Sequence, residues 1–509
     1  MSEVSPVPRT IAELFAPVVA VDPEREALVT RSGRWSYAEL DRLASRAAHA
    51  LAALGVRAGD RVAGGLPNDL DVILAFHGAM RLGAVWVGIN RALAPPEKQY
   101  LLDDSGTSLL LCDAATAEQV TAGQMSAGQM SGRDVRVLTV EDGPGEWHDA
   151  LAAAPDDPFV SDIDPFAPAG IAYTSGTTGY PKGATHSQHN LLVPGAMLGA
   201  SRGWGPSLRK GDFLALTILN MQVLTTLTSA QAGGSAIIFD RNDPVGVAEW
   251  IRDERVTVWN GPPALIHSLA HDDAVAPDDL ATLDEVWNGG GDCPEPVRAA
   301  FEEKFGKPVL MTYGLSEAPT VVTIDDPDGK HAVGGSGRPL PHLEIRVIDD
   351  ELCVAAATTG EHAGVYKPML GYWNRDDATA ETLRDGVLHT GDLGFVDDDG
   401  FLHVRDRKSL VIIRGGGNVY PAEIERVLHE RPEVEACAVV GLPDERLGER
   451  VAVAVQLRAG ATATEDELRE HCLANLAKYK VPERWLFVDA FPRNSMGKIQ
   501  RRDLPALFT

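Results

Sequence analysis

Apolar positions recur at helical spacing over residues 36–55, "SYAELDRLASRAAHALAALG", and the run stops at Gly55, which predicts an amphipathic helix. "RVAGGLP" then reads as a short strand, and "DVILAFHGAMRLGAVWVGI" as a helix running into a strand. The rhythm is clearest from Asp243 to Tyr313. "DPVGVAEWIRDE" opens a helix on an Asp-Pro pair, and "RVTVWNG" follows as a strand. After "EVWNGGG", the segment "PEPVRAAFEEKFG" puts Val297, Phe301 and Phe305 on one helix face and ends at Gly306; "PVLMTYG" is the next strand. Repeated helix–strand units with apolar strands predict an α/β fold, a large N-terminal domain of helix-covered, mostly parallel sheets.

The last hundred residues follow a different pattern. "PAEIERVLHE", "VEACAVVGL", "RVAVAVQL", "TEDELREHCLANLAKY" and "RWLFVDA" read as helix, strand, strand, helix, strand, with Thr464 and Glu467 spaced as a capping box. This predicts a small α+β C-terminal domain. The join falls near "RDRKSLVII", giving domains over 1–408 and 410–509. "AGQMSAGQMSG", from Ala122 to Gly132, is one five-residue unit written twice. It is expected to be a mobile surface loop without chemistry.

At 509 residues the chain is too long for one core, and 44% hydrophobic with 23% charged residues is ordinary for a globular protein. The 73 acidic against 46 basic residues give a net charge of -27, which argues against nucleic acid or an anionic membrane as the main partner. Five scattered cysteines without a CxxC pair disfavour a disulfide framework or a zinc site and fit a reducing cytoplasm. The start "MSEVSPVPRT" has no apolar core of a signal peptide, no stretch nears the roughly 20 apolar residues of a membrane span, and the final "LFT" is not a peroxisomal address. A cytoplasmic enzyme without membrane insertion is the expectation.

"YTSGTTGYPKGATH", Tyr173 to His186, sets small hydroxyl residues and glycines after an apolar strand. Such a loop turns N–H groups and hydroxyls inward and suits phosphate oxygens. Lys182 adds a charge, and the helix expected at "HSQHNLL" would bring its positive end nearby. G-x-x-x-x-G-K-[ST] is absent, since Lys182 stands between Pro181 and Gly183.

The loop resembles the phosphate-loop signature of the adenylate-forming superfamily, which includes acyl-CoA synthetases, adenylation domains of peptide synthetases, and luciferases. Four further stretches match that family in order: "TYGLSE" (Thr312 to Glu317), "HTGDLG" (His389 to Gly394), "VRDRKSLVIIRGGGNVYPAEIE" (Val404 to Glu425) and "PRNSMGKI" (Pro492 to Ile499). The resemblance implies activation of a carboxylic acid by ATP, release of pyrophosphate, and transfer of the acyl group from the adenylate to an acceptor. Thr174, Ser175, Gly176, Thr177, Thr178, Gly179 and Lys182 match the loop around the β- and γ-phosphates.

Ser316 stands where the family more often has threonine, keeping the hydroxyl that contacts the α-phosphate, and Glu317 matches the Mg2+-holding carboxylate. Gly290, Gly291, Asp292 and Tyr313 match the nucleotide pocket; Asp392 resembles the carboxylate that accepts both ribose hydroxyls, and Arg407 the arginine that also reaches the ribose. Lys498 corresponds to the lysine bridging carboxylate and α-phosphate oxygens. Asn220, His267, Gly289, Gly314 and Leu315 fall along the acyl pocket, with Asn220 where many relatives have histidine. That mixture suits an apolar or aromatic acid.

In the family the small domain rotates after adenylation. Ser409 aligns with a hinge that is commonly Asp or Lys, and Gly415, Gly416 and Gly417 with the acceptor tunnel, Gly417 replacing a frequent glutamate. Those departures weaken a CoA thioester step without excluding it, so an acyl- or aryl-CoA ligase is the expectation and an amide-forming ligase of the same family the alternative. A separate carrier protein and a catalytically silent nucleotide-binding protein are further alternatives. A peptide-synthetase module is disfavoured because no carrier domain follows Thr509.

Overall fold

The computed structural model describes residues 9–126, 135–141, 143–174, 181–289, 293–407, 410–414, 417–444, 448–476, 478–493 and 498–508. Two sheets carry the predicted parallel strands. In the first, the Val309–Leu315, Glu285–Asn288, Val258–Gly261, Arg209–Asp212, Ser235–Ile238 and Glu26–Thr30 strands run parallel in that spatial order. Antiparallel strands close both edges, Thr320–Ile324 and then Arg338–Pro339 at one and Gly33–Ser36 at the other. The second sheet has a parallel centre of Pro168–Thr174, Val85–Gly88, Arg61–Gly65, Leu109–Cys112 and Arg136–Thr139. Lys182–Ser187 and then Gly371–Tyr372 extend its other edge antiparallel.

The predicted helices cover these sheets. Tyr37–Ala53 opens on a capping box between Ser36 and Glu39, and Gly55 ends the run at φ 95°. Leu70–Leu82 stops on Gly83 in the left-handed region. These two helices and Gln188–Arg202 share one apolar core with both sheets, in which Leu51, Phe76, Trp86, Leu191 and Trp287 are fully buried. Burying an indole removes about 200 Å² from water, worth about 5 kcal/mol, so Trp86 in one sheet and Trp287 in the other contribute strongly to the common core. Glu295–Phe305 ends on Gly306 at φ 64°, with Phe301 and Phe305 buried and Val297 packed beside them.

A third sheet, antiparallel, was not foreseen from the sequence. It joins Leu343–Ile348, Glu351–Ala356, Val387–Val396, Leu383–Arg384 and Leu402–Arg407. Its first hairpin turns on Asp349 and Asp350, both at positive φ, the signature of a two-residue primed turn. The fourth sheet contains Gly417–Val419, Ile412–Arg414, Gly448–Leu457, Val434–Asp444 and Arg484–Phe487. Helices Pro421–His429 and Glu465–Asn475 bury Ile424, Val427, Leu468 and Cys472 against one side of it, and the expected capping box of Thr464 with Glu467 is present.

One local expectation is corrected. The first copy of the "AGQMS" unit lies in a helix, Ala114–Ser126, because Ala, Gln and Met favour helix once Asp113 starts it by accepting from the N–H of Thr116. The second copy falls outside the described residues. Among the described residues no helix is long and apolar enough to cross a membrane.

Candidate active site

The glycine-rich motif is a hairpin. Pro168–Thr174 pairs antiparallel with Lys182–Ser187, and Thr174 lies opposite Lys182 at the open end. Thr174 and Lys182 are described; Ser175, Gly176, Thr177, Thr178 and Gly179 between them lie outside the described residues. Helix Gln188–Arg202 starts from Ser187, at the other end of the strand. A strand of six residues spans roughly 17 Å, so the sequence expectation that this helix turns its positive end toward the loop is overturned. What braces the hairpin mouth is a polar group. Asp104 accepts from Tyr173 Oη at 2.8 Å and pairs with Arg375 at 2.8 Å, while Tyr100 Oη donates to the Pro181 carbonyl at 3.0 Å. Burial and the adjacent Asp104 carboxylate hold the Tyr173 phenol well above its ordinary pKa, so it remains a donor.

The end of one strand ties the candidate residues together. Val309–Leu315 runs out into Ser316 and Glu317. Glu317 accepts from Tyr372 Oη at 2.8 Å, and the Lys182 ammonium sits 5.2 Å from the centre of the same Tyr372 ring. Ser316 Oγ lies 3.4 Å from Asn220 Nδ2, and the Ser316 carbonyl lies 2.6 Å from His186 Nε2. Two residues earlier than Leu315, Tyr313 Oη donates to Asp392 Oδ2 at 2.6 Å. Asp392 is buried and stands opposite Arg407 in the antiparallel pairing of the third sheet.

The irregular stretch of the Val387–Val396 strand that presents Asp392 is itself pinned. Gly391 has φ 74°, and its N–H donates to Glu351 Oε1 at 2.9 Å; Thr390 Oγ1 donates to the Leu352 carbonyl at 2.6 Å. His389 Nδ1 lies 3.2 Å from Glu351 Oε2 and 3.4 Å from Cys353 Sγ. Ligand-capable atoms of Glu351, Cys353 and His389 thus fall within 4.8 Å of one another, and the hydrogen bonds that shape this stretch account for that closeness.

Sequence reasoning missed Tyr372 and His186. Both had a signal: Tyr372 follows a glycine in "GYW", and His186 interrupts the small residues of "KGATHS". Burial pushes the His186 imidazole down to about 4, against a smaller opposing effect of the Ser316 carbonyl. The neutral ring therefore donates through Nε2 to that carbonyl. Buried His77 and His342 are likewise pushed down by burial, to about 3. An unfolded chain takes up protons at these imidazoles from pH 6.5 downward while the folded one does not until about 4 or 3. Stability is then fully present above pH 6.5 and falls as pH drops below it. The urea midpoint is expected to decline through that window, and His186→Gln to flatten the decline; a variant with an unchanged slope removes His186 from the account.

The glycines have structural causes. A Cβ on Gly314 would sit 2.1 Å from the Thr320 carbonyl oxygen, where Thr320 itself has φ 76°. One on Gly289 would meet Asn260 Oδ1 at 2.7 Å. Gly290, Gly291 and Asp292 lie outside the described residues, as do Ser409, Gly415 and Gly416. Gly417 begins a strand opposite Arg414. Leu315 is half-buried and packs on the main core. His267 stacks on His271 at 4.1 Å and lies 3.2 Å from Arg458, a residue that follows the Gly448–Leu457 strand. Lys498 is exposed, just before Ile499, which bridges to Arg493.

The chain matches the AMP-binding enzyme family over residues 15–373 and the AMP-binding enzyme C-terminal domain over 423–498. It is 36% identical over 493 residues to a 2-succinylbenzoate–CoA ligase of Geobacillus kaustophilus, covering 95% of both chains. It is 34% identical over 501 residues to the long-chain-fatty-acid–CoA ligase FadD13 of Mycobacterium tuberculosis, covering 94% of both. ATP-bound MatB from Rhodopseudomonas palustris superposes with a TM-score of 0.87 at 30% identity, over 98% of this chain and 99% of that one. Apo MatB, at the same identity and the same coverage of both chains, gives 0.76. By sequence, fold and the residues gathered at Tyr313–Glu317, the chain belongs to the AMP-binding enzyme family and is an ATP-dependent, AMP-forming ligase.

Proposed function

We propose that the protein activates an apolar or aromatic carboxylic acid as its acyl-adenylate and transfers the acyl group to CoA. The observation that carries the reading is the single strand end from Tyr313 to Glu317. It touches Asp392 through Tyr313, Asn220 and His186 through Ser316, and Tyr372 beside Lys182 through Glu317. One short segment thus reaches a ribose carboxylate, an α-phosphate hydroxyl and the mouth of the phosphate hairpin.

Activation is in-line attack of a carboxylate on the α-phosphate, a problem of placement and charge. Asp392 accepts the ribose hydroxyls, and Arg407, opposite it in register, is assigned to the ribose as well. Thr174, Lys182 and the hydroxyls of the loop hold the β- and γ-phosphates, and Ser316 Oγ meets the α-phosphate. Glu317 fits Mg2+: it offers a hard carboxylate oxygen beside the phosphate hairpin, and Mg2+ is commonly held by one or two carboxylates plus substrate phosphates. Bound there, the cation would neutralise phosphate charge. Lys498 bridges the attacking carboxylate and the α-phosphate, neutralising charge that develops in the transition state.

The two domains are taken to divide at Ser409, supported by the change from the third sheet at Arg407 to the fourth at Ile412. The better superposition on ATP-bound than on apo MatB supports an adenylate-forming arrangement of the two parts. Rotation about Ser409 would bring Gly415–Gly417 to the acceptor. All five cysteines are buried and none forms a disulfide, which supports a cytoplasmic setting.

The departures at Ser409 and Gly417 favour an amine as the second acceptor to test. Pyrophosphate release is measured with a panel of aryl and aliphatic acids, ATP and Mg2+, then with CoA alone, amines alone, or neither, and products are identified by mass. Thioester is the expected product. Amide without thioester replaces CoA by an amine, and pyrophosphate release without either product points to a separate carrier protein.

A further inference from the structure

Tyr372 lies outside every motif that led to the site, yet it joins two of its members. Its backbone is held on three sides. Tyr372 pairs with Ala184 on the Lys182–Ser187 strand, and its N–H donates to Thr379 Oγ1 at 2.8 Å. The neighbouring Trp373 and Leu370 N–H groups donate to the Gly183 and Thr185 carbonyls at 2.7 and 2.8 Å. Gly371 before it has φ 137°, and a Cβ there would sit 2.8 Å from Thr379 Cγ2, so the chain approaches closely to set the ring. The phenol that results donates to one oxygen of Glu317 at 2.8 Å while its face carries the Lys182 ammonium at 5.2 Å.

We propose that Tyr372 is a positioning residue for nucleotide and cation: its hydroxyl fixes the Glu317 carboxylate, and its ring holds Lys182 at the hairpin mouth before ATP arrives. The inference rests on the adenylation reading of Glu317 and Lys182. A carboxylate free to rotate gives up part of its binding energy to be ordered by a cation; one already held by a phenol through its first oxygen presents the second. A lysine on a four-carbon stem loses rotamer freedom when it grips phosphate, and a cation–π contact that has already narrowed its positions lowers that cost. Tyr372 touches neither phosphate nor acid in this account. It acts through Glu317 and Lys182.

The test measures ATP affinity by calorimetry, once with Mg2+ and once with EDTA, so that it needs no turnover. In the wild type Mg2+ is expected to tighten ATP. Tyr372→Phe keeps the ring and removes the hydroxyl, so affinity in EDTA is expected to stay within about twofold while the Mg2+-dependent tightening shrinks about tenfold, the loss of one hydrogen bond to a charged group. Tyr372→Phe that responds to Mg2+ like the wild type overturns the hydroxyl's role. Tyr372→Ala also removes the ring and is expected to weaken ATP in EDTA about threefold, the size of an exposed cation–π contact; affinity equal to that of Tyr372→Phe overturns the ring's role. Glu317→Gln separates the two levels of the argument. If it leaves the Mg2+-dependent tightening intact, the cation reading of Glu317 falls and Tyr372 falls with it; if it abolishes the tightening and Tyr372→Phe does not, only Tyr372 falls.

Discussion

Lys498→Ala is expected to lower acid- and ATP-dependent pyrophosphate release by about a thousandfold, the upper end of what one lost transition-state donor costs. ATP affinity should change by no more than about twofold, because a contact made in the transition state is weak in the ground state. The structure makes this a clean substitution. Lys498 is exposed and directly precedes Ile499, which bridges to Arg493 and packs on the second apolar cluster of the C-terminal sheet around Ala438, Ala452 and Phe491. Removing the ammonium leaves that packing in place. Arg502→Ala is the matched control, an exposed cation four residues on whose nearby carboxylate is Asp503, and it should be silent. Thioester formation from added acyl-adenylate and CoA should survive in Lys498→Ala, since the lysine serves only the first half-reaction. Normal pyrophosphate release from Lys498→Ala would remove it from the site.

The parallel sheets were legible because helix and strand there have different periods and clean stops, such as Gly55 and Gly306, each at positive φ. The third sheet was not, although its Asp349–Asp350 turn was visible as a pair of residues that tolerate the left-handed region. Its strands are antiparallel and partly solvent-facing, so Arg346, Val347 and Ile348 carry no continuous apolar run. The site divides in the same way. Glu317, Asp392 and Lys182 stand in contiguous motifs and could be named from them. Tyr372 contacts Glu317 across 55 positions of sequence and His186 contacts Ser316 across 130, distances at which local pattern carries no information. The expected helix dipole at the phosphate loop failed for a related reason: composition gives no turn geometry, and the segment after Lys182 is a strand before it is a helix.

Asp392→Ala should weaken ATP about a hundredfold, and the reason lies in how the carboxylate is held. Asp392 is buried, one oxygen accepts from Tyr313 Oη at 2.6 Å, and its own N–H donates to Thr390 Oγ1 at 3.0 Å. Such a carboxylate cannot swing away, so its acceptor sites face the nucleotide at little entropic cost. Two ribose hydroxyls bound to a charged acceptor contribute about 1.5 to 3 kcal/mol each before losses to water, and non-additivity brings the pair to about a hundredfold in affinity. Loss of affinity alone would not distinguish recognition from local disruption of the Val387–Val396 strand. The decisive comparison is with 2′-deoxy- and 3′-deoxy-ATP. The wild type should bind each about tenfold more weakly than ATP, whereas Asp392→Ala should bind all three alike, because the group that reads the hydroxyls is gone. A variant that still prefers ATP over the deoxynucleotides reads the ribose through another residue, and Arg407, opposite in register, is then the one to replace.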